Sequence, residues 1–206
     1  MVRLHNFQAL FMVLVITVLA VSGCNDKAVE TSAKVVSLNG TVEIRQNAGT
    51  QFVAAKINDT LGIGGIVKTG EESQANLNIV GKGSVEIKSD GYFELEAGRD
   101  YVTQNGGMAI YRIEKTGEGF KIKAPQGIAC ALGTTFMVRV IDNMTVVGVE
   151  TGKVSVTSNN GETRVLEAKQ KINVGNSGFS GEVMPFDINT DSFNYIKIDG
   201  RWVPKE

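Results

Sequence analysis

Few side chains in this sequence could do chemistry, and their scarcity is informative. The 206 residues hold one histidine, His5, and two cysteines, Cys24 and Cys130. His5 precedes an apolar leader-like run, so residues 24–206 contain no imidazole. A serine or cysteine nucleophile then lacks an imidazole base, and the usual His-containing zinc sites cannot be assembled. Cys130 sits in Ile128-Ala129-Cys130-Ala131-Leu132 with no basic side chain close in sequence to lower its pKa, and reads as a buried, inert thiol. Gly81-Lys82-Gly83-Ser84 looks like a phosphate loop but lacks the earlier glycine and has Gly after Lys, so it reads as a hairpin turn. Leu61-Gly62-Ile63-Gly64-Gly65-Ile66 has no strand-to-helix unit around it and is not a dinucleotide fingerprint. Asp187-Ile188-Asn189-Thr190-Asp191 starts like a calcium loop, yet Ser192 and Ile198 stand where Gly and Glu are required, which leaves a solvated turn. Glu94 and Glu96 alternate with Phe93 and Leu95, so both carboxylates share one strand face, read as a solvated surface rather than an acid/base pair. Glu71-Glu72, after the Thr69-Gly70 turn, is expected to face solvent. No catalytic residue, cofactor or metal site is expected, and the protein is not expected to be an enzyme.

The other cysteine has a different setting. Met1 to Phe7 carries Arg3, and Ala9 to Val21 is an apolar run broken only by Thr17. That is the length of an export signal and short of the roughly 20 apolar residues a membrane-spanning helix needs. Its end, Val21-Ser22-Gly23-Cys24, resembles the bacterial lipobox, with Val at the first position where Leu is commonest. The resemblance implies cleavage between Gly23 and Cys24 and acylation of Cys24, for example with palmitate, so that residues 1–23 form a lipoprotein signal peptide. Cys130 is then left without an intramolecular partner, and the exported chain carries no disulfide. Residues 24–34 are polar and aperiodic, a short tether between lipid and domain.

Composition fits an exported globular domain. The chain has 21 basic and 22 acidic side chains and a pI near 6.0, so no basic stripe exists to neutralise phosphates and nucleic acid is not expected as a partner. With 42% hydrophobic and 21% charged residues it is neither disordered nor a multi-spanning membrane protein. Glycine turns recur about every ten residues from Asn39-Gly40 to Asn160-Gly161, separated by alternating runs such as Thr41-Val42-Glu43-Ile44 and Lys153-Val154-Ser155-Val156. The pattern predicts one all-β domain of many short strands, a twisted β-sandwich or a β-solenoid-like stack. Glu162 to Val174 is helical by propensity alone, but an internal echo argues against a helix there. Val35, Gly40, Val42, Asn47, Gly49 and Val53 recur at the same spacing as Val147, Gly152, Val154, Asn159, Gly161 and Val165, and Ala55-Lys56 recurs one inserted residue later as Ala168-Lys169. Two similar hairpin units are therefore expected near the two ends of the domain.

Four segments carry a further resemblance: Val36 to Val42; Leu61 to Gly70 with Ser73 to Leu77; Ile122 to Gly127 leading to Leu132-Gly133-Thr134-Thr135-Phe136-Met137-Val138; and Val149 to Val156 closing at Leu166 to Gln170. Their order and spacing resemble the FecR-domain family, a periplasmic β domain found in sigma-factor regulators and other exported proteins. Ala124, Gly65 and Lys169 depart from that pattern, which usually has Thr, Asp and Gly at those places. The resemblance covers residues 35–175, followed by a C-terminal extension, 176–206. In the family's sigma regulators the domain receives a signal from an outer-membrane transporter and relays it through a cytoplasmic N-terminal segment. Cleavage before Cys24 would leave no such segment, so direct anti-sigma action is not expected here. The expectation is a non-catalytic protein-binding, scaffold or signalling module, held through its N-terminal lipid to the inner or outer membrane and facing the periplasm, with Asn25 after the cysteine favouring the outer membrane. An envelope glycan or polymer binder is the alternative, with Tyr195 and Trp202 as the candidate partner-binding aromatics.

Overall fold

A computed structural model describes residues 32–96, 101–116, 119–192, 195–198 and 201–204; for the last two stretches only the backbone is described. Gly23 and Cys24, with the rest of the signal and the tether up to residue 31, lie outside the described residues.

The alternation of inward and outward side chains draws the chain into strands almost throughout. They are β1 (Ala33–Asn39), β2 (Val42–Arg45), β3 (Val53–Ala54), β4 (Thr60–Leu61), β5 (Ile66–Thr69), β6 (Gln74–Ile79), β7 (Gly83–Ile87), β8 (Tyr92–Leu95) and β9 (Tyr101–Ile113) in the first part. β10 (Phe120–Ala124), β11 (Gly127–Ala131), β12 (Thr134–Ile141), β13 (Met144–Thr151), β14 (Lys153–Ser158), β15 (Thr163–Glu167), β16 (Gln170–Gly175) and β17 (Gly178–Pro185) follow. All 17 belong to one open sheet, which is folded over into two layers rather than closed as a barrel. The upper layer runs β4-β1-β6-β7-β9-β12-β13-β16-β17, and the lower runs β3-β2-β5-β8-β9-β10-β11-β14-β15. The long strand β9 belongs to both, its first part below and its last part above, with Gly106-Gly107 at the bend. β10 lies parallel to β9 and the other pairs are antiparallel.

The pairing resolves the internal echo into a duplication with approximate two-fold symmetry. β1 pairs with β4 and β6 as β13 pairs with β16 and β12, while β2 pairs with β3 and β5 as β14 pairs with β15 and β11. Ala33 opposes Leu61 and Thr145 opposes Val174, positions that the echo makes equivalent. Around the centre, β6-β7 corresponds to β12-β9, so the axis passes between β7 and β9, where Glu86 opposes Ile110. The second copy is permuted, with β11 and β12 preceding β13 and β14, which is why only part of the repeat shows as a linear match. One register differs from the echo: Ser155 opposes Val165, whereas Glu43 opposes Ala54 instead of Val53.

Two equivalent changes of layer, β1 to β2 and β13 to β14, fall at tight glycine corners. At Gly40 φ is +75° and an added Cβ would lie 2.4 Å from Ser73 Oγ; at Gly152 φ is +86° and it would lie 2.9 Å from Thr134 Oγ1. The hydroxyls are equivalent too. Ser73 Oγ accepts from Thr41 N at 2.9 Å and donates to Glu71 O at 2.8 Å, while Thr134 Oγ1 lies 3.2 Å from Leu132 O and 3.1 Å from Lys153 O.

Between the layers lies one apolar core, in which Val35, Leu77, Phe93, Phe120, Phe136, Val154 and Ile172 are fully enclosed. Tyr111 stacks on Phe136 with ring centroids 5.2 Å apart. Its hydroxyl donates to Gln104 Oε1 at 2.9 Å, and Gln104 Nε2 donates to Val138 O and Gly107 O, so the bend of β9 carries a satisfied buried polar network. Lys153 and Glu167 pair at 2.8 Å, but with side chains 68% and 53% exposed they add little beside this core.

Glu162 to Val174 forms β15 and β16, as the internal echo implied against propensity, because Leu166, Ile172 and Val174 fill the core at strand spacing. Asp187 to Asp191 is a single helical turn with no buried residue: Asp187 caps the short helix α1 (Ile188–Asp191), accepting from Asn189 N at 2.9 Å. Phe186 and Ile188 pack with Met137 and Val146 on the outer side of the upper layer, and an added Cβ on Gly148 would meet the Phe186 ring at 2.4 Å. Cys130 is half-buried, not enclosed; its cross-strand partner is Lys121, whose Nζ donates to Tyr101 OH and so points outward. β17 continues the sheet beyond residue 175, and residues 195–198 and 201–204 (β18 and β19) form a separate hairpin.

The corners generate a prediction that separates backbone strain from contact. Gly40→Ala and Gly152→Ala incur both, and each should lower stability by about 2 kcal/mol or more. Gly161→Ala, at φ +89° with nothing within 4 Å of the new Cβ, should lose only about 1 kcal/mol. Urea unfolding of the three variants checks the order.

Candidate functional site

The outer face of the upper layer carries two cavities, and the duplication relates them. The first, of about 260 Å³, is lined by Asn39, Ser73, Gln74, Lys88, Met108 and Arg139 among others. The second, of about 360 Å³ and more open, is lined at the equivalent positions by Thr151, Thr134, Thr135, Arg112, Ser84 and Asn78. Gly107 at one rim and Gly83 at the other both have positive φ, as do Glu72 and Gly133 on the adjoining corners. Both cavities are thus products of one backbone frame, each set where a corner meets the central strands β7 and β9.

Glu86, at the pseudo-axis, holds one cation in each cavity. Its Oε1 pairs with Lys88 Nζ, and its Oε2 accepts from Arg112 Nη2 at 3.2 Å. Lys88 Nζ also donates to Gln74 Oε1 at 3.2 Å. Burial alone would push the Glu86 carboxyl up, but the Lys88 and Arg112 charges and hydrogen bonds outweigh it and hold it below the ordinary 4.5.

The first cavity is the more elaborated. Arg139, only 5% exposed, projects outward from β12, where Nη2 donates to Asp191 O and lies 3.5 Å from Met108 Sδ and 3.8 Å from Met137 Sδ. The segment 186–192 reaches the cavity at Ser192, on its rim. It is held there by Lys171 on the Asp191 carboxylate and by Glu150 Oε2, which accepts from Ile188 N at 3.4 Å.

The residues singled out in the sequence fall elsewhere. Gly23 and Cys24 lie outside the described residues, as do the side chains of Tyr195 and Trp202, whose backbones oppose Pro204 and Lys197 in the β18–β19 hairpin. Glu94 lies near Arg45 at 3.6 Å and accepts from Tyr92 OH at 2.8 Å, while Glu96 accepts from Thr103 Oγ1, so neither carboxylate is positioned for proton transfer with the other. Gly81-Lys82-Gly83-Ser84 is the β6–β7 turn, as expected. Among the described residues no group of three or more His, Cys, Asp or Glu is placed to hold a metal ion. Lys88, Glu86, Arg112 and Arg139 were not picked out by sequence reasoning. The available signal was Arg139, a charge inside the apolar run Phe136 to Ile141.

Fold and site together define a duplicated two-layer β domain with paired cavities rather than a single cleft. Residues 65–155, from just before β5 into β14, match the family model described as FecR protein. Two crystal structures of a candidate anti-sigma factor from Parabacteroides distasonis ATCC 8503, at 2.50 and 1.65 Å resolution, are similar in fold. Each superposes with a TM-score of 0.53 at 19% identity, covering 62% of this chain and 62% of that one. No curated relative matches the chain.

The Glu86 bridge makes a pH prediction. A carboxyl held below 4.5 in the folded state adds stability above that pH and loses it as pH falls through the folded value. Urea-unfolding free energies from about pH 7 down to about pH 3 should therefore decline more shallowly below pH 4.5 in Glu86→Gln, which should also be the less stable protein at neutral pH.

Proposed function

We propose that the protein is a lipid-anchored, non-catalytic module of the cell envelope that binds another envelope protein and serves in signalling or as a scaffold. The match of residues 65–155 to the FecR family model supports this reading, since in that family's sigma regulators the domain receives its signal from another protein. The lipobox-like Val21-Ser22-Gly23-Cys24 supports attachment through Cys24, on the periplasmic side of the membrane and with outer-membrane sorting favoured by Asn25. The absence of imidazole from residues 24–206 supports a role without catalysis.

An edge strand offers the partner a place to bind. Among the described pairings β15 is bonded on one side only, to β14, and Val165 at its middle is 58% exposed. The other edges are less suitable: β3 and β4 have two residues each, and β17 has a register break opposite Lys171 to Asn173 and ends in Pro185. Strand addition at β15 would supply main-chain hydrogen bonds for affinity, with side-chain contacts setting specificity. Against the glycan reading, several rings near the surface are covered by the protein's own cations: Lys68 lies 4.1 Å from the Phe52 centroid, Lys121 4.9 Å from that of Tyr101, and Arg164 4.6 Å from that of Phe179.

Chemical cross-linking in cells followed by mass spectrometry should give a recurrent envelope-protein neighbour. Retention on purified cell-wall polymer, lost on Trp202→Ala, would instead favour the glycan reading. Growth with a fatty-acid analogue should label the parent chain and leave Cys24→Ala unlabelled and released from the membrane fraction; labelling of the variant equal to the parent would overturn the anchor.

A further inference from the structure

We propose that the margin of the domain where the chain enters β1 rests on the phospholipid bilayer, with Val36, Val53, Ile57 and Val80 as its apolar contact; this rests on the lipid attachment at Cys24 argued above. All four side chains are at least half exposed. Backbone contacts gather them. Asn58 N donates to Val35 O at 2.9 Å, which sets the Ile57-Asn58 turn against Val36, a residue that the register shift between Val35 and Ser37 leaves without a partner in β6. Val80 N donates to Ser32 O at 2.9 Å, so the β6–β7 turn lies beside the first described residue, and Val53 is on the short strand β3 that leads into the Ile57 loop. Single exposed hydrophobic side chains are ordinary, whereas several at one margin mark an interaction surface.

The duplication supplies an internal comparison. In the echo Val36 aligns with Gly148, which lies under the Phe186 ring, and Ile57 aligns with Gln170, whose Oε1 accepts from Glu167 N at 2.9 Å. Of the residues aligned by the echo, Val53 alone keeps an equally exposed counterpart, Val165. The far margin is thus largely polar or covered by its own chain, and among the described residues the near margin is neither. Residues 25–31 separate Cys24 from Ser32, a stretch that spans about 28 Å at most. Acyl chains on Cys24 therefore keep this margin close to the bilayer, at an effective concentration high enough for weak contacts to be occupied. In the lower layer β15 lies eight strand spacings from β3, or about 38 Å, so the same seating holds the β15 edge clear of lipid. Charge specifies the kind of lipid. Lys34 and Lys56 stand exposed beside the apolar groups and Lys82 shares the turn with Val80, while the Asp59 carboxylate accepts from Lys56 N at 2.8 Å. Apolar side chains flanked by lysines suit an anionic phospholipid surface, where the former enter the headgroup layer and the ammonium groups meet phosphate.

The full-length protein, purified from membranes and reconstituted in vesicles of equal parts phosphatidylcholine and phosphatidylglycerol, tests this. A photo-cross-linking residue incorporated at Ile57 should give phospholipid adducts at least about fivefold more often than one at Val165. Lys34→Glu combined with Lys56→Glu should cut the adducts at position 57 at least about threefold with the unfolding midpoint retained, and vesicles of phosphatidylcholine alone should do the same for the parent. Mass spectrometry of the N-terminal peptide separates this proposal from the anchor on which it rests. Without acyl chains on Cys24 both fall together. Acylated protein that gives no phospholipid adducts at position 57, or as many at 165, overturns the bilayer contact and leaves the anchor standing. Protein adducts in place of lipid adducts at position 57 in cells would overturn it too, and would make this margin a protein interface.

Discussion

The structure depends on how a strand leaves one layer and enters the other. A bent strand needs a left-handed residue at the corner, and a close-packed neighbour must then satisfy the backbone groups that the bend frees from the ladders. Gly40 with Ser73 and Gly152 with Thr134 solve this problem in the same way at equivalent places. The hydroxyl occupies the space a side chain at the glycine would need, so glycine and hydroxyl are constrained together. Where the corner residue is not glycine the same conformation persists, as at Glu72 with φ +51° and Lys169 with φ +66°. The packing of both layers around one core is strong enough to hold those residues in a region that L side chains disfavour.

Much of this was legible in the sequence. Glycine turns about every ten residues, with alternating runs between them, gave the all-β class, and the match of Val35 to Val53 with Val147 to Val165 pointed to β1–β3 and β13–β15 as related units. The permutation was not legible, because β11 and β12 precede β13 and β14 while β5 and β6 follow β1 and β2, and a linear comparison cannot align segments in opposite order. The pattern Leu132-Gly133-Thr134-Thr135-Phe136 could be quoted as a motif, yet its physical content, a left-handed glycine followed by a hydroxyl that braces the Gly152 corner, requires the pairing of β12 with β13. The departure at Lys169 has a structural sense as well: it takes the positive φ that glycine would adopt most easily.

The site was less legible than the fold. Periodicity can tell inward from outward positions, but not that an outward face will be covered later by its own chain. Met137 and Arg139 alternate outward from β12 and would be expected in solvent; Phe186 and α1 enclose them. Cys130 fails in the opposite sense, since an apolar local sequence suggested burial while the β10–β11 register turns it outward. Glu86 gains its role from the pseudo-axis, where a single carboxylate can reach cations that belong to two copies of the same frame.

Duplication also bears on recognition. Two equivalent edges and two equivalent cavities need not be used alike, and here each pair has diverged: β15 has five residues where β3 has two, and one cavity is lined by Arg139 and Met108 where its counterpart has Asn78 and Ser84. If β15 is the docking edge proposed above, protein recognition falls at one end of the stack only. A photo-cross-linking residue incorporated in living cells at Val165, and separately at Ala54, which opposes Glu43 as Val165 opposes Ser155, tests this directly. A discrete adduct with one envelope protein from position 165 and none from position 54 is the predicted result. The same adducts from both positions, or none from 165, would contradict it.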